Sequence, residues 1–328
     1  MGYSTQKALE ELTKAYSYQK NYEQKVKEAA IIIKQSFGHI RRGIWTPPEF
    51  GIVLGSGLGD LANEIEDAKT IKYEHIPNFP RTTVEGHEGK LIYGKIGDVP
   101  VIGLKGRKHY YEVADEPFNT GMLQIMFPVH VLAELGVKNY FATDTARGLN
   151  ERYYVGDIMV LEDHVNHIPN ALLGRQHDFK RVGGEPTLRH QPMNDAYDKD
   201  LTRMLFNTGG HDAIYRCHSF GGFMRIGTYL AVTGLTYETK AECIEFRNGL
   251  GADAVGMSVT PEIIAAKNRG MKCVAMSCIT NKILKDGTNA TSNEEAKEIL
   301  ESETVKNNLT STIRKFFTSY RGWDKNNV

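Results

Sequence analysis

The chain has 328 residues, 41% hydrophobic and 24% charged, with 40 basic against 40 acidic side chains. That composition excludes a disordered chain and allows a sizeable core. The zero net charge removes any global field for nucleic acid or an anionic membrane surface, so an anionic ligand needs a local site.

The first twenty residues are polar and charged, with no apolar stretch before a small-residue cleavage site, and no apolar run anywhere approaches a membrane span. A cytoplasmic protein with no membrane and no nucleic-acid partner is expected. Cys217, Cys243, Cys273 and Cys278 form no Cys-x-x-Cys pair and read as free thiols.

From Gln6 to Phe37 the absence of Gly and Pro and the wealth of Ala, Glu and Lys predict one or two helices, an N-terminal extension over residues 1–46. Phe50-Gly51-Ile52-Val53-Leu54 predicts a strand running into the glycine-rich loop Gly55 to Gly59. Further apolar runs lie at 91–96, 99–104, 139–143, 157–161, 226–232, 252–257 and 272–279. Helical stretches stand between them at 123–135, 196–207, 239–248, 261–268 and 293–317. This alternation predicts a single α/β domain over 47–320, a mixed sheet, partly barrel-like, covered by helices. Residues 175–190 read as a long mobile surface loop, and 321–328 as a flexible tail.

Three clusters can carry chemistry. In Gly55-Ser56-Gly57-Leu58-Gly59 small residues let backbone N–H groups converge on an anion beside the Ser56 hydroxyl, although glycines after a strand are more often a plain turn. The spacing fits neither a dinucleotide fingerprint nor a Walker loop, which disfavours a dinucleotide-dependent oxidoreductase. In Gly106 to Glu112, Arg107, His109 and Tyr111 alternate onto one face of an extended segment. Arg107 is shaped for phosphate, with a solvated cationic strand end as the plain alternative. In the third cluster, Glu238 and Asn281 supply a carboxylate and an amide, a pair that can recognise a heterocycle with donor and acceptor edges, although singly Glu238 is more often a helix N-terminal charge, Met257 a core filler and Asn281 a turn residue. His164, His167, His177, His190, His211 and His218 lack a paired metal-ligand spacing, so no metal is expected.

In order along the chain, Gly-Ser-Gly-Leu-Gly, Ile76 to Pro80, Thr83 to Gly89, Gly106 to Glu112, Gly251 to Ser258 and Thr280-Asn281-Lys282 resemble the trimeric purine nucleoside phosphorylases over about Phe50 to Phe316. The resemblance implies cleavage of 6-oxopurine nucleosides such as inosine and guanosine by phosphate, a pentosyltransferase reaction without cofactor or metal, in a homotrimer. It also implies Ser56, Arg107, His109, Ser258 and the backbone N–H near Thr145 as phosphate ligands, with His87 as a gate beside them. Tyr111 and Met257 then correspond to ribose contacts, Glu238 and Asn281 to purine contacts, and Tyr237 to an aromatic face on the base.

The sequence departs from that pattern where the family has Thr-Asn-Ala-Ala-Gly-Gly, here Thr143-Asp144-Thr145-Ala146-Arg147-Gly148, and where Ser-His-Glu-Glu becomes Ser292-Asn293-Glu294-Glu295. Arg147 puts a long cation where a glycine flanks the base, and Asp144 puts a carboxylate near an anion site. These changes leave a second reading, a family member that binds a ligand or partner without turnover.

Overall fold

A computed structural model describes residues 2–38, 45–55, 58–84, 87–174, 177–209 and 223–326. The Gly- and Pro-free start forms α1 (Gly2–Lys20) and α2 (Tyr22–Phe37). Tyr22, Val26, Ala29, Ala30 and Ile33 recur at helical spacing, and they bury α2 in the same core as α3 (Thr120–Glu134). Tyr22 donates its hydroxyl to Leu123 O at 2.7 Å.

Nine strands, β1 (Phe50–Leu54), β2 (Glu66–Lys72), β3 (Lys90–Ile96), β4 (Val99–Lys105), β5 (Asn139–Gly148), β6 (Ile158–Asn166), β7 (Met224–Ala231), β8 (Ala254–Gly256) and β9 (Lys272–Lys282), form one sheet. Its order is β2-β3-β4-β1-β5-β8-β7-β6-β9, and β9 returns to pair with β5. The first part is therefore open and the second a closed ring, with β5 common to both. Strands β1, β4, β5 and β9 run parallel, while β8 crosses the end of β5 antiparallel, pairing Arg147 with Val255.

Side chains alternate between the two faces of the sheet. Along β1, Phe50, Ile52 and Leu54 enter one core and Val53 the other. The first core packs on the C-terminal helix α8 (Glu303–Asn326) and on α4 (Lys199–Asn207). There Phe316, Phe317 and Tyr320 meet Phe50 edge-on at 5.8, 5.1 and 4.8 Å. The second core packs on α2, α3 and α6 (Thr260–Asn268). Between β7 and β8 lies α5 (Lys240–Asn248), opened by a capping box in which Thr239 and Glu242 exchange hydrogen bonds.

Four local readings change. β2 was not anticipated: it is a charged, exposed edge strand without an apolar rhythm, defined by its ladder to β3. The expected helix over 293–317 is two, α7 (Asn293–Glu301) and α8, separated by extended Ser302, which caps Val305 N at 3.4 Å. The α8 helix also continues through residues 321–326, read from sequence as tail, and Arg321 Nη2 donates to Glu49 Oε1 at 2.9 Å. Within the expected loop, Phe179 is buried and Arg269 donates to Lys180 O at 2.8 Å.

Candidate active site

The segments that could carry chemistry meet where β1, β4, β5 and β9 end, at the rim that β8 crosses. Glycine makes the approach possible. A Cβ on Gly55 would lie 2.5 Å from Thr143 O and 3.2 Å from Arg107 Nη1. Gly106 has φ +115° and would drive a Cβ to 2.9 Å from His87 Cβ, so only glycine fits after β4.

Arg107 follows that turn and is buried to 4% exposure. Its Nε donates to Glu262 Oε1 at 3.0 Å and its Nη1 to Thr143 O at 2.8 Å, with Ser258 Oγ at 3.4 Å. Nη2 is buried and has no hydrogen-bond partner among the described residues. Burial disfavours the charge, but Glu262, Tyr140, Asp144 and Tyr229 together outweigh it and raise the pKa of the guanidinium. Ser258 is held between β8 and α6 by Val259, a β-branched residue at φ +60° that turns the chain sharply into the helix.

Asp144 lies in the same nest, accepting from Tyr229 at 2.7 Å, from Ser258 Oγ at 2.9 Å and from Ser277. Burial pushes its pKa up, against Arg107 and the three hydroxyls. Three rings stand in a stack beside Arg107: His87 and His109 at 5.3 Å, His109 and Tyr111 at 5.0 Å with 6° between planes. His87 Nδ1 is 2.9 Å from Arg107 O, and burial takes the pKa of His87 down to about 4. His109 is fixed by Glu112 Oε1, 2.9 Å from its Nδ1. Burial opposes the charge on Glu112, yet hydrogen bonds from His109 and Thr83 bring its pKa to about 2.

The other half of the site is built by Arg147, Glu238, Tyr237, Met257, Gly234 and Asn281. Arg147 Nε and Nη2 donate to Glu238 Oε2 and Oε1 at 2.8 and 2.6 Å, a two-pronged pair. Its Cζ stands 4.5 Å over the Tyr237 ring. Asn281, opposite Arg147 in the β5–β9 ladder, accepts from Thr280 Oγ1 at 2.8 Å and donates Nδ2 to Thr291 O at 3.2 Å. A Cβ on Gly234 would touch Met257 Sδ at 2.6 Å and Tyr111 Cδ1 at 3.1 Å, so these two side chains converge there. A cavity of ≈ 210 Å³ opens beside this half, lined in part by Gly234, Tyr237, Glu238 and His167.

The structure thus groups Arg107, His109, His87 and Ser258 in one half, and Glu238, Tyr237 and Asn281 in the other. Thr145 lies on β5 between Asp144 and Arg147, and Tyr111 and Met257 meet at the junction. Ser56 lies outside the described residues. Sequence reasoning missed Glu262, Thr143, Tyr229 and Ser277, which orient Arg107 and Asp144. Glu262 follows Pro261 in the first turn of α6, where an acidic residue reads as a dipole partner. Among the described residues no cluster of His, Cys, Asp or Glu could hold a metal, and no helix is long and apolar enough to cross a membrane.

This architecture and rim have known counterparts. The chain belongs to the phosphorylase superfamily, whose family model matches residues 49–315. Its relatives are purine nucleoside phosphorylases. Purine nucleoside phosphorylase 1 of Bacillus subtilis is 37% identical over 290 residues, 88% of this chain and 98% of that protein. The purine nucleoside phosphorylase of Bos taurus is 39% identical over 244 residues, 73% of this chain and 78% of that protein. A crystal structure of the Schistosoma enzyme in complex with hypoxanthine superposes with a TM-score of 0.73 at 30% identity, covering 90% of this chain and 96% of that one. Isoform 2 from Schistosoma mansoni, in complex with cytosine and ribose-1-phosphate, gives a TM-score of 0.74 at 30% identity, covering the same shares. The chain is an enzyme of this family, and the reading without turnover is not favoured.

Proposed function

We propose that the protein cleaves the N-glycosidic bond of 6-oxopurine nucleosides with inorganic phosphate, releasing free base and ribose 1-phosphate. The observation that carries this reading is Arg107, a buried guanidinium with an unpartnered N–H group at Nη2, beside Ser258 and at the same rim as Glu238 and Asn281. Phosphate is the co-substrate and no cofactor or metal is needed.

On this reading Ser56, Arg107, His109, Ser258 and the backbone N–H of Thr145 hold the phosphate. A phosphate oxygen bonds to the anomeric carbon as the bond to the purine nitrogen breaks, and the electron pair of that bond leaves with the base, which takes a proton from water. The sugar is cationic in the transition state, and the anion held beneath it stabilises that charge. His87, uncharged near neutral pH, closes over the phosphate. Tyr111 and Met257 face the ribose, and Tyr237 the base.

Asn281 spends one amide hydrogen on Thr291 O, leaving the other for N7 or the 6-oxo group of the departing purine. Glu238 faces the ring N–H of the base. A homotrimer acting in the cytoplasm completes the reading, supported by the family resemblance and by three free buried cysteines, Cys243, Cys273 and Cys278, which suit a reducing compartment.

The test is release of hypoxanthine from inosine by purified protein, with a phosphate-free control. Turnover that requires phosphate is expected. Folded protein that releases no base from inosine or guanosine would overturn the reading.

A further inference from the structure

The cation among the base contacts has a consequence for substrate choice. Arg147 stands at the end of β5, opposite Asn281, and its side chain is 10% exposed. Both oxygens of Glu238 already hold one of its N–H groups, at 2.8 and 2.6 Å, and its Cζ covers Tyr237 at 4.5 Å. Nη1 makes no hydrogen bond among the described residues, so three of the five N–H donors remain, two on Nη1 and one on Nη2.

A base that meets Glu238 meets this pair rather than a bare carboxylate. The carboxylate keeps lone pairs for a ring N–H, but its negative charge is compensated and the neighbouring group only donates. A 2-amino group also only donates, so beside Nη1 it leaves donors facing one another, whereas a 2-oxo group accepts. The 2,6-dioxopurine ring is also the more acidic, and negative charge on it faces the guanidinium.

We propose that Arg147 sets the preference at the purine 2-position, favouring a 2-oxo nucleoside such as xanthosine over a 2-amino nucleoside such as guanosine. Inosine, unsubstituted there, falls between them. The inference rests on the proposed function, since it takes Glu238 and Asn281 as the base contacts.

Equilibrium binding of the three nucleosides to the full chain, by titration calorimetry without phosphate, reads the preference independently of turnover. Xanthosine should bind about tenfold or more tighter than guanosine. Arg147→Gly should remove or reverse that order. Arg147→Met, which keeps a stem over Tyr237, serves if the glycine variant does not fold. Guanosine binding as tightly as xanthosine, an order unchanged in the variants, or no nucleoside binding would each overturn the inference. Inosine turnover together with a flat binding order would sink this inference and leave the reaction standing. A xanthosine preference without phosphate-dependent turnover would do the reverse.

Discussion

Ser258 gives its hydroxyl hydrogen to Asp144 Oδ2 at 2.9 Å. A hydroxyl has one hydrogen, so Ser258 cannot serve Asp144 and a bound phosphate together. Asp144→Asn weakens the competing acceptor, and the phosphate KM should fall about tenfold. Phosphate-dependence curves check it, and an unchanged or higher KM counts against the competition. Burial raises the folded pKa of Asp144, so its carboxyl favours the folded state below about 3.8 and loses that contribution as pH rises through the folded value. The Asn variant should therefore gain in melting temperature at neutral pH and not in acid.

Acid should weaken the native state in two overlapping windows. Buried His87 resists a proton that the unfolded imidazole accepts, so stability present above about 6.5 is lost as pH falls toward about 4. Glu112 holds its charge toward about 2 through His109 and Thr83, so its contribution is present above 4.5 and lost below that. Urea midpoints measured from pH 7 downward should fall in both windows, and His87→Asn should flatten the upper one. A native midpoint level between these limits would show that the ring stack is not a source of pH dependence.

Arg147 and Glu238 form a two-pronged pair with side chains 10% and 4% exposed. Removing one partner leaves a buried charge, so Arg147→Ala or Glu238→Ala alone should destabilise by about 3–5 kcal/mol. The double variant should lose markedly less than the sum. Chemical denaturation of the four proteins gives the coupling, and additive losses would mean that the pair does not form in solution.

Gly106→Ala tests the turn that delivers Arg107. With φ +115° and His87 Cβ 2.9 Å from the new methyl, the substitution should cost more than ~1 kcal/mol and displace the guanidinium. Phosphate KM should rise more than nucleoside KM. Equal changes in both would point to general loosening.

Much of this was legible because the signal was local. The β1 strand declared itself by five apolar or glycine residues after Pro47-Pro48, and Arg107 by its place after a strand. What was hidden is what distance in sequence conceals. The β2 strand exposes nearly every side chain, so only its partner defines it. Glu262 binds Arg107 across 155 positions, and nothing in Thr260-Pro261-Glu262 distinguishes it from a helix-opening acid. Arg147 and Asp144 were visible as odd residues, but their partners Glu238 and Tyr229 emerge only when the ring of strands closes.

The β5 strand acts as a ruler. In the proposed reaction Thr143 and Asp144 belong to the half that holds phosphate and Arg147 to the half that holds the base, and four steps along a strand span about 13 Å. The distance between the two reactants' footholds is thus written in one stretch of backbone. Just beyond Ala146 the β5–β9 register skips a residue, so Arg147 faces Asn281 rather than Thr280. Lengthening or shortening β5 by one residue there would exchange the faces of everything after it, leaving the proposed phosphate anchor in place and removing the proposed contact to the base.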